Sequence, residues 1–144
     1  MKIAIIASQF NKEISNNLIQ GAKAKFESNN FSLDNLNIYE VPGAFEIPSF
    51  IKNLLDKNIS FDAIVTFGSV IKGDTAHFEY ICKSVTDGIM KLSIDNVKNI
   101  PILYGVLTSY NYEQALERSM IEKKDKGGEV MQSAIDFVHS LNKL

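Results

Sequence analysis

Two apolar runs constrain this chain most: "IAIIA" at residues 3 to 7 and "AIVTFG" at 63 to 68 carry no regular polar alternation. A strand with one wet face alternates, whereas a strand buried on both faces reads as a continuous hydrophobic run, the habit of parallel sheets covered by helices. Parallel neighbours cannot be joined by a tight hairpin and need long crossovers. The sequence supplies them. Ile14, Leu18, Ala22 and Phe26 recur at helical spacing after strand one, with Asn11 placed to cap the start. Ile47, Ile51, Leu54 and Leu55 form a second face after Pro42-Gly43, and Ile81, Val85, Ile89 and Leu92 form a third along residues 77 to 95. Two more β-rich runs, "NIYEV" at 37 to 41 and "PILYGVL" at 101 to 107, complete a set of four strands. A short helix at 111 to 119 follows, and then a last one after Gly127-Gly128, with Val130, Met131, Ala134, Phe137, Val138 and Leu141 on its face. Strands alternating with helices predict an α/β chain: a doubly wound, three-layer αβα sandwich around a four-stranded parallel sheet.

Composition narrows the partners. The 144 residues suit one domain spanning residues 1 to 144 that buries a core without metals or disulfides. A net charge of -2 gives no electrostatic reason to expect nucleic acid. The lone Cys82 has no partner for a disulfide and no zinc-site spacing, which fits a reducing cytosol and a filler role in the core. No apolar segment nears the roughly 18 residues that span a bilayer, and the opening "MKIAIIAS" is too short an apolar run for a secretory signal. A soluble, cytoplasmic protein with no membrane partner is expected.

In doubly wound sheets, ligands bind outside the carboxyl ends of the strands. That rule nominates the loops Ser8 to Lys12, Pro42 to Glu46, Gly68 to His77 and Thr108 to Asn111. The third contains "GSVIKGDT", one residue from the nucleotide-binding pattern G-x-x-x-x-G-K-[ST]. Asp74 stands where that pattern needs lysine, so an ATP site is disfavoured. The start of the next helix still offers free backbone N–H groups, and Thr75 offers a hydroxyl, so the loop reads either as a site for one small phosphate or as a capped turn. His77 at the same helix start is a candidate proton acceptor; His139, late in the last helix, reads as a surface residue. Phe10 either stacks on a planar ligand or staples helix one. Phe45 and Glu46 of "VPGAFEIP" lie near the same edge, Glu46 as a hydroxyl acceptor or a helix-start charge. Arg118 either pairs with Glu113 or Glu117 on its own helix, or forks onto phosphate.

Taken together, "SQFNKEISNNLIQGA", "VPGAFEIP", "GSVIKGDTAHFEYIC", "PILYGVLTSYNYEQALERS" and "DKGGEVMQSAIDF" resemble the 6,7-dimethyl-8-ribityllumazine synthase family over almost the whole chain, in order and in spacing. The resemblance implies a flavodoxin-like sheet. It implies a transferase-class enzyme of riboflavin biosynthesis that condenses 5-amino-6-(D-ribitylamino)uracil with 3,4-dihydroxy-2-butanone 4-phosphate, releasing phosphate and water without metal or organic cofactor. Phe10 would stack on the pyrimidine, with Asn11 among the binding residues. Ala44, Phe45 and Glu46 would line the ribityl chain, and Val70 and Ile71 would meet the ring edge through backbone groups. Gly73, Asp74 and Thr75 would hold the phosphate, the Asp74 carboxylate turned away, while His77 shuttles protons. In the family, sites lie between neighbouring subunits of a homopentamer, so Tyr104 and Arg118 would come from the neighbour, with Lys126 close by. Tyr104 stands where many relatives carry phenylalanine, which keeps the ring and adds a hydroxyl. "SMIEKKD" lacks the glycine-rich turn of relatives that build sixty-subunit shells, and the chain begins at strand one, so a free pentamer is expected.

Three rival readings make different demands. An archaeal-type riboflavin synthase would not place Phe10 and His77 in these local motifs. A flavin or lumazine carrier would keep Phe10 and Glu46 but need neither Arg118 nor His77. A phospho-acceptor domain would require acidic residues after strand one, where Ser8-Gln9 stand.

Overall fold

The two continuous apolar runs become the central strands of the sheet. The computed structural model describes residues 1–144. Its strands are β1 (Ile3–Ser8), β2 (Leu36–Val41), β3 (Ala63–Ile71) and β4 (Ile102–Ser109); its helices are α1 (Lys12–Ser28), α2 (Ile47–Asp56), α3 (His77–Asp95), α4 (Tyr112–Ser119) and α5 (Lys126–Leu141). Every strand pair is parallel and the order is β2-β1-β3-β4, so β1 and β3 are central while β2 and β4 form the edges. This is the three-layer, flavodoxin-like sandwich expected.

Side-chain alternation divides the core. Ile3, Ile5, Ala63, Val65 and Phe67 face α1, α4 and α5 in a cluster of 18 buried residues. Ala4, Ile6 and Ile64 face α2 and α3 in a cluster of 15, so both faces of β1 are dry. Each wholly buried isoleucine or leucine of these clusters contributes roughly 1.5 to 3 kcal/mol relative to exposure.

The structure differs from the sequence expectations at several points. Asn11 does not cap α1 through its side chain; it sits in the left-handed region (φ 58, ψ 53) and donates from Nδ2 to the Ser69 carbonyl at 3.2 Å. The competing acceptor lies across the sheet, beyond the reach of local pattern. β3 runs on to Ile71 because β4 runs on with it: Val70 pairs Thr108, Ile71 pairs Ser109, and Lys72 N donates to Ser109 O at 2.9 Å. The glycine pair lies inside the first turn of α5 rather than before it. A Cβ on Gly127 would come within 2.0 Å of the Leu18 carbonyl oxygen, so the glycine exists to let α5 press on α1. Asp125 supplies the cap, accepting from Gly128 N at 3.1 Å. Cys82 is half-buried rather than a core filler, and Phe137 is 44% exposed.

Candidate active site at the carboxyl edge of the sheet

The β1–β2 ladder continues past both strands: Gln9 N donates to Val41 O at 2.8 Å and Phe10 N to Pro42 O at 3.0 Å. Those two bonds carry Phe10 beside the Pro42-Gly43 turn, with its ring 72% exposed. Such exposure answers the staple alternative, because a ring packed into α1 would be covered. Pro42-Gly43 leads into a short turn, Ala44–Glu46, that buries Ala44 and leaves Phe45 out. Glu46 then begins α2, half-buried, its carboxylate folded over Gly43 and in no ion pair.

These residues wall one side of a cavity of about 680 Å³. The opposite wall is the end of β3 and the start of α3: Val70, Ile71, Gly73, Thr75 and His77 all line it. Its size falls within the range of small-molecule sites. Thr75 Oγ1 accepts from His77 N at 3.3 Å just ahead of α3, which leaves the threonine O–H free to donate to a ligand. Asp74, which the resemblance places on the phosphate, is exposed and does not line the cavity. The nominated loops contain every lining residue except Phe78 and Ile81, which lie further along α3. Ile81 had a signal in its helical period, but it was read as core; it straddles both roles.

The cavity is mostly apolar, and its walls include no lysine or arginine. Nor does any group of three His, Cys, Asp or Glu side chains converge as metal ligands, and no helix is long and apolar enough to cross a membrane.

The chain as a whole matches the family model described as 6,7-dimethyl-8-ribityllumazine synthase over residues 1–142. The chain belongs to the 6,7-dimethyl-8-ribityllumazine synthase family. It is similar to a protein of Limosilactobacillus reuteri (strain DSM 20016) named 6,7-dimethyl-8-ribityllumazine synthase, with 41% identity over 142 residues that cover 99% of this chain and 90% of the relative. Of the residues that the family resemblance implies, the cavity gathers Phe10, Ala44, Phe45, Glu46, Val70, Ile71, Gly73, Thr75 and His77. Five other expected residues stand apart from it, Asp74 among them. Asn11 lies behind the wall, its amide on Ser69 O.

The remaining three lie elsewhere on the surface. Arg118 pairs with neither Glu113 nor Glu117; its Nη1 donates to the Gln114 carbonyl at 3.2 Å. Lys126 holds Glu129 Oε1 at 2.8 Å. Tyr104, on the edge strand β4, meets Thr86 Oγ1 at 3.0 Å across the sheet on α3. Burial pushes its phenol above the ordinary tyrosine range. Burial also raises the Cys82 thiol, with Glu79 adding to it, so this cysteine is a poor thiolate.

Proposed function

We propose that the cavity holds the ribitylaminopyrimidine and the butanone phosphate side by side, and that a second copy of the chain completes it. Family membership gives the chain the transferase-type activity of lumazine synthesis in riboflavin biosynthesis. The observation that supports this site is the convergence of an exposed aromatic ring, an unpaired carboxylate, a helix start and a histidine on one apolar cavity.

In this reading Phe10 stacks on the pyrimidine and Glu46 accepts from ribityl hydroxyls. Val70 and Ile71 offer backbone groups to the ring edge, and Gly73 and Thr75 with the start of α3 take the phosphate. The pyrimidine amine attacks the ketone carbon, water leaves, and an imine forms. Loss of a proton next to the imine expels phosphate, with His77 placed to take or return protons. The second nitrogen then closes the ring with loss of a second water. Holding two reactants in register is worth roughly 7 to 11 kcal/mol in the best intramolecular cases. Proton transfer by a histidine adds about a hundredfold to ten-thousandfold. Positioning is therefore the larger contribution, and no metal or organic cofactor is required.

Two features support a ring of five copies. A phosphate needs cationic donors, yet the cavity walls hold none, while Arg118 and Lys126 occupy themselves with local acceptors elsewhere. Meanwhile α3 buries only Val85 and Ile89 along 19 residues, and leaves Met90 and Ile94 exposed one turn apart on the helix. A neighbour would cover both and bring its Tyr104, Arg118 and Lys126 to the cavity. We take residues 1 to 144 as one such domain, working as a free pentamer in the cytoplasm.

The direct test mixes purified protein with both substrates and follows the lumazine by its visible absorption, less the spontaneous rate. Turnover proportional to protein supports the proposal. Folded protein without excess rate sinks it in favour of a carrier, whose sign would be tight flavin or lumazine binding by fluorescence.

A further inference from the structure

We propose that Thr86 is a positioning residue for this reaction: with Thr66 it pins Tyr104 on the β4 edge, phenol proton turned inward and oxygen lone pair turned outward to accept a hydrogen bond from an N–H of the heterocycle bound by a neighbouring copy. This rests on the reading that Tyr104 closes a neighbour's cavity. Four hydrogen bonds around one half-exposed ring carry it.

The backbone comes first. Thr66, wholly buried on β3 and paired in register with Tyr104, donates from Oγ1 to Leu103 O at 3.0 Å and accepts from Gly105 N at 3.3 Å. One hydroxyl therefore grips the residues on both sides of Tyr104. Gly105 permits the close approach, since a Cβ there would come within 2.5 Å of the Thr66 carbonyl oxygen and 2.7 Å of the Phe67 ring.

The side chain comes next. Thr86 Oγ1 sits 2.7 Å from the Cys82 carbonyl, one helical turn back, and a carbonyl can only accept. Its single proton is spent there. At the 3.0 Å contact with Tyr104, Thr86 must then accept, so the phenol donates. What remains on the phenol oxygen is acceptor capacity, directed away from α3. Thr86 itself is exposed and heads the outward line of Met90 and Ile94 on α3, so the pinned ring belongs to the surface that a neighbouring copy would cover. A ring held at backbone and tip spends less entropy on ordering when the neighbour's ligand arrives. A phenylalanine at this position would lack both the tether and the acceptor.

The test compares wild type, Thr86→Ser, Thr86→Val, Tyr104→Phe and the Thr86→Val/Tyr104→Phe double variant in steady-state kinetics. A hydrogen bond of this kind being worth about 0.5 to 1.5 kcal/mol, Thr86→Val is expected to raise KM for the ribitylaminopyrimidine roughly 3- to 10-fold with kcat within about twofold. Thr86→Ser keeps the hydroxyl and should restore the wild-type KM, while the double variant should be no worse than Tyr104→Phe alone. An unchanged KM in Thr86→Val, a Thr86→Ser as impaired as Thr86→Val, or multiplying effects in the double variant would each overturn the proposal. Fluorotyrosine labelling reads the pin without activity: the Tyr104 fluorine signal, identified by its loss in Tyr104→Phe, should move in Thr86→Val and stay in Thr86→Ser. A signal that stays in Thr86→Val removes the pin. A signal that moves in a protein whose wild type makes no lumazine keeps the pin and removes the synthase reading.

Discussion

The two halves of the proposed site are built by opposite means. Phe10, Ala44, Val70 and His77 are carried by strand ends that the sheet itself brings together, through bonds such as Phe10 N to Pro42 O at 3.0 Å. Arg118 and Lys126 lie on helices of the other layer, at the end of α4 and the start of α5, and each holds a partner within its own helix. The first half is preorganised within one chain; the second is cationic and pointed elsewhere. Chemistry explains the division. Stacking and hydroxyl recognition need a fixed shape, which hydrogen-bonded strand ends give, whereas a phosphate needs charge that a neighbour can deliver.

If the halves are separate in this way, their variants should fail differently. Arg118→Ala is expected to have the largest effect, lowering kcat/KM for the butanone phosphate by roughly a hundredfold, in line with about 2 to 5 kcal/mol for truncating one partner of a charge pair at an interface. The pyrimidine KM should stay near wild type; a loss shared equally between the two substrates would place Arg118 outside the phosphate subsite. His77→Ala should lower kcat by about a hundredfold, the low end of proton-transfer catalysis, and leave measurable turnover. Complete loss in a folded His77→Ala variant would mean that proton transfer, not positioning, dominates. Phe10→Ala should raise the pyrimidine KM roughly tenfold with the phosphate substrate little affected, as removal of one aromatic contact predicts.

The smallest effect concerns pH. Tyr112 on α4 donates to Glu13 Oε2 on α1 at 2.5 Å, and this bond raises its phenol pKa; burial raises that of Tyr104. A folded pKa above the unfolded value gives stability that is fully present below about 10, the ordinary tyrosine value, and is lost as pH rises through the folded values. Thermal midpoints should show no phenol-dependent change from neutrality to about pH 9, then fall, and the fall should be shallower in Tyr104→Phe/Tyr112→Phe. An identical alkaline fall in that double variant would show that lysine deprotonation alone drives it.

The same division decides what could be read from the chain. Unbroken apolar runs at 3 to 7 and 63 to 68 announced central parallel strands, and helical periods announced the layers around them. Strand-end loops nominated Phe10, Glu46, Thr75 and His77, and all four line the cavity. What escaped depends on contacts distant in sequence. Asn11 was read as a helix cap from its position, but its amide found the Ser69 carbonyl 58 residues away. Arg118 is the local exception: it was offered acidic partners on its own helix and took the carbonyl of Gln114, one turn back, instead. Tyr104 lies inside a strand, where an end-of-strand rule does not look; only the family resemblance named it, and only the structure shows Thr86 holding it.

Mixing two impaired variants, assayed with both substrates below their KM values, tests the central claim most directly. Arg118→Ala damages one half of the site and Phe10→Ala the other, so rings assembled from both, after joint unfolding and refolding, contain some interfaces where both halves are intact. The account predicts that lumazine formation in the mixed sample rises well above the sum of the two variants refolded separately. Activity equal to that sum, from mixed rings of the normal size, would contradict a site shared between copies.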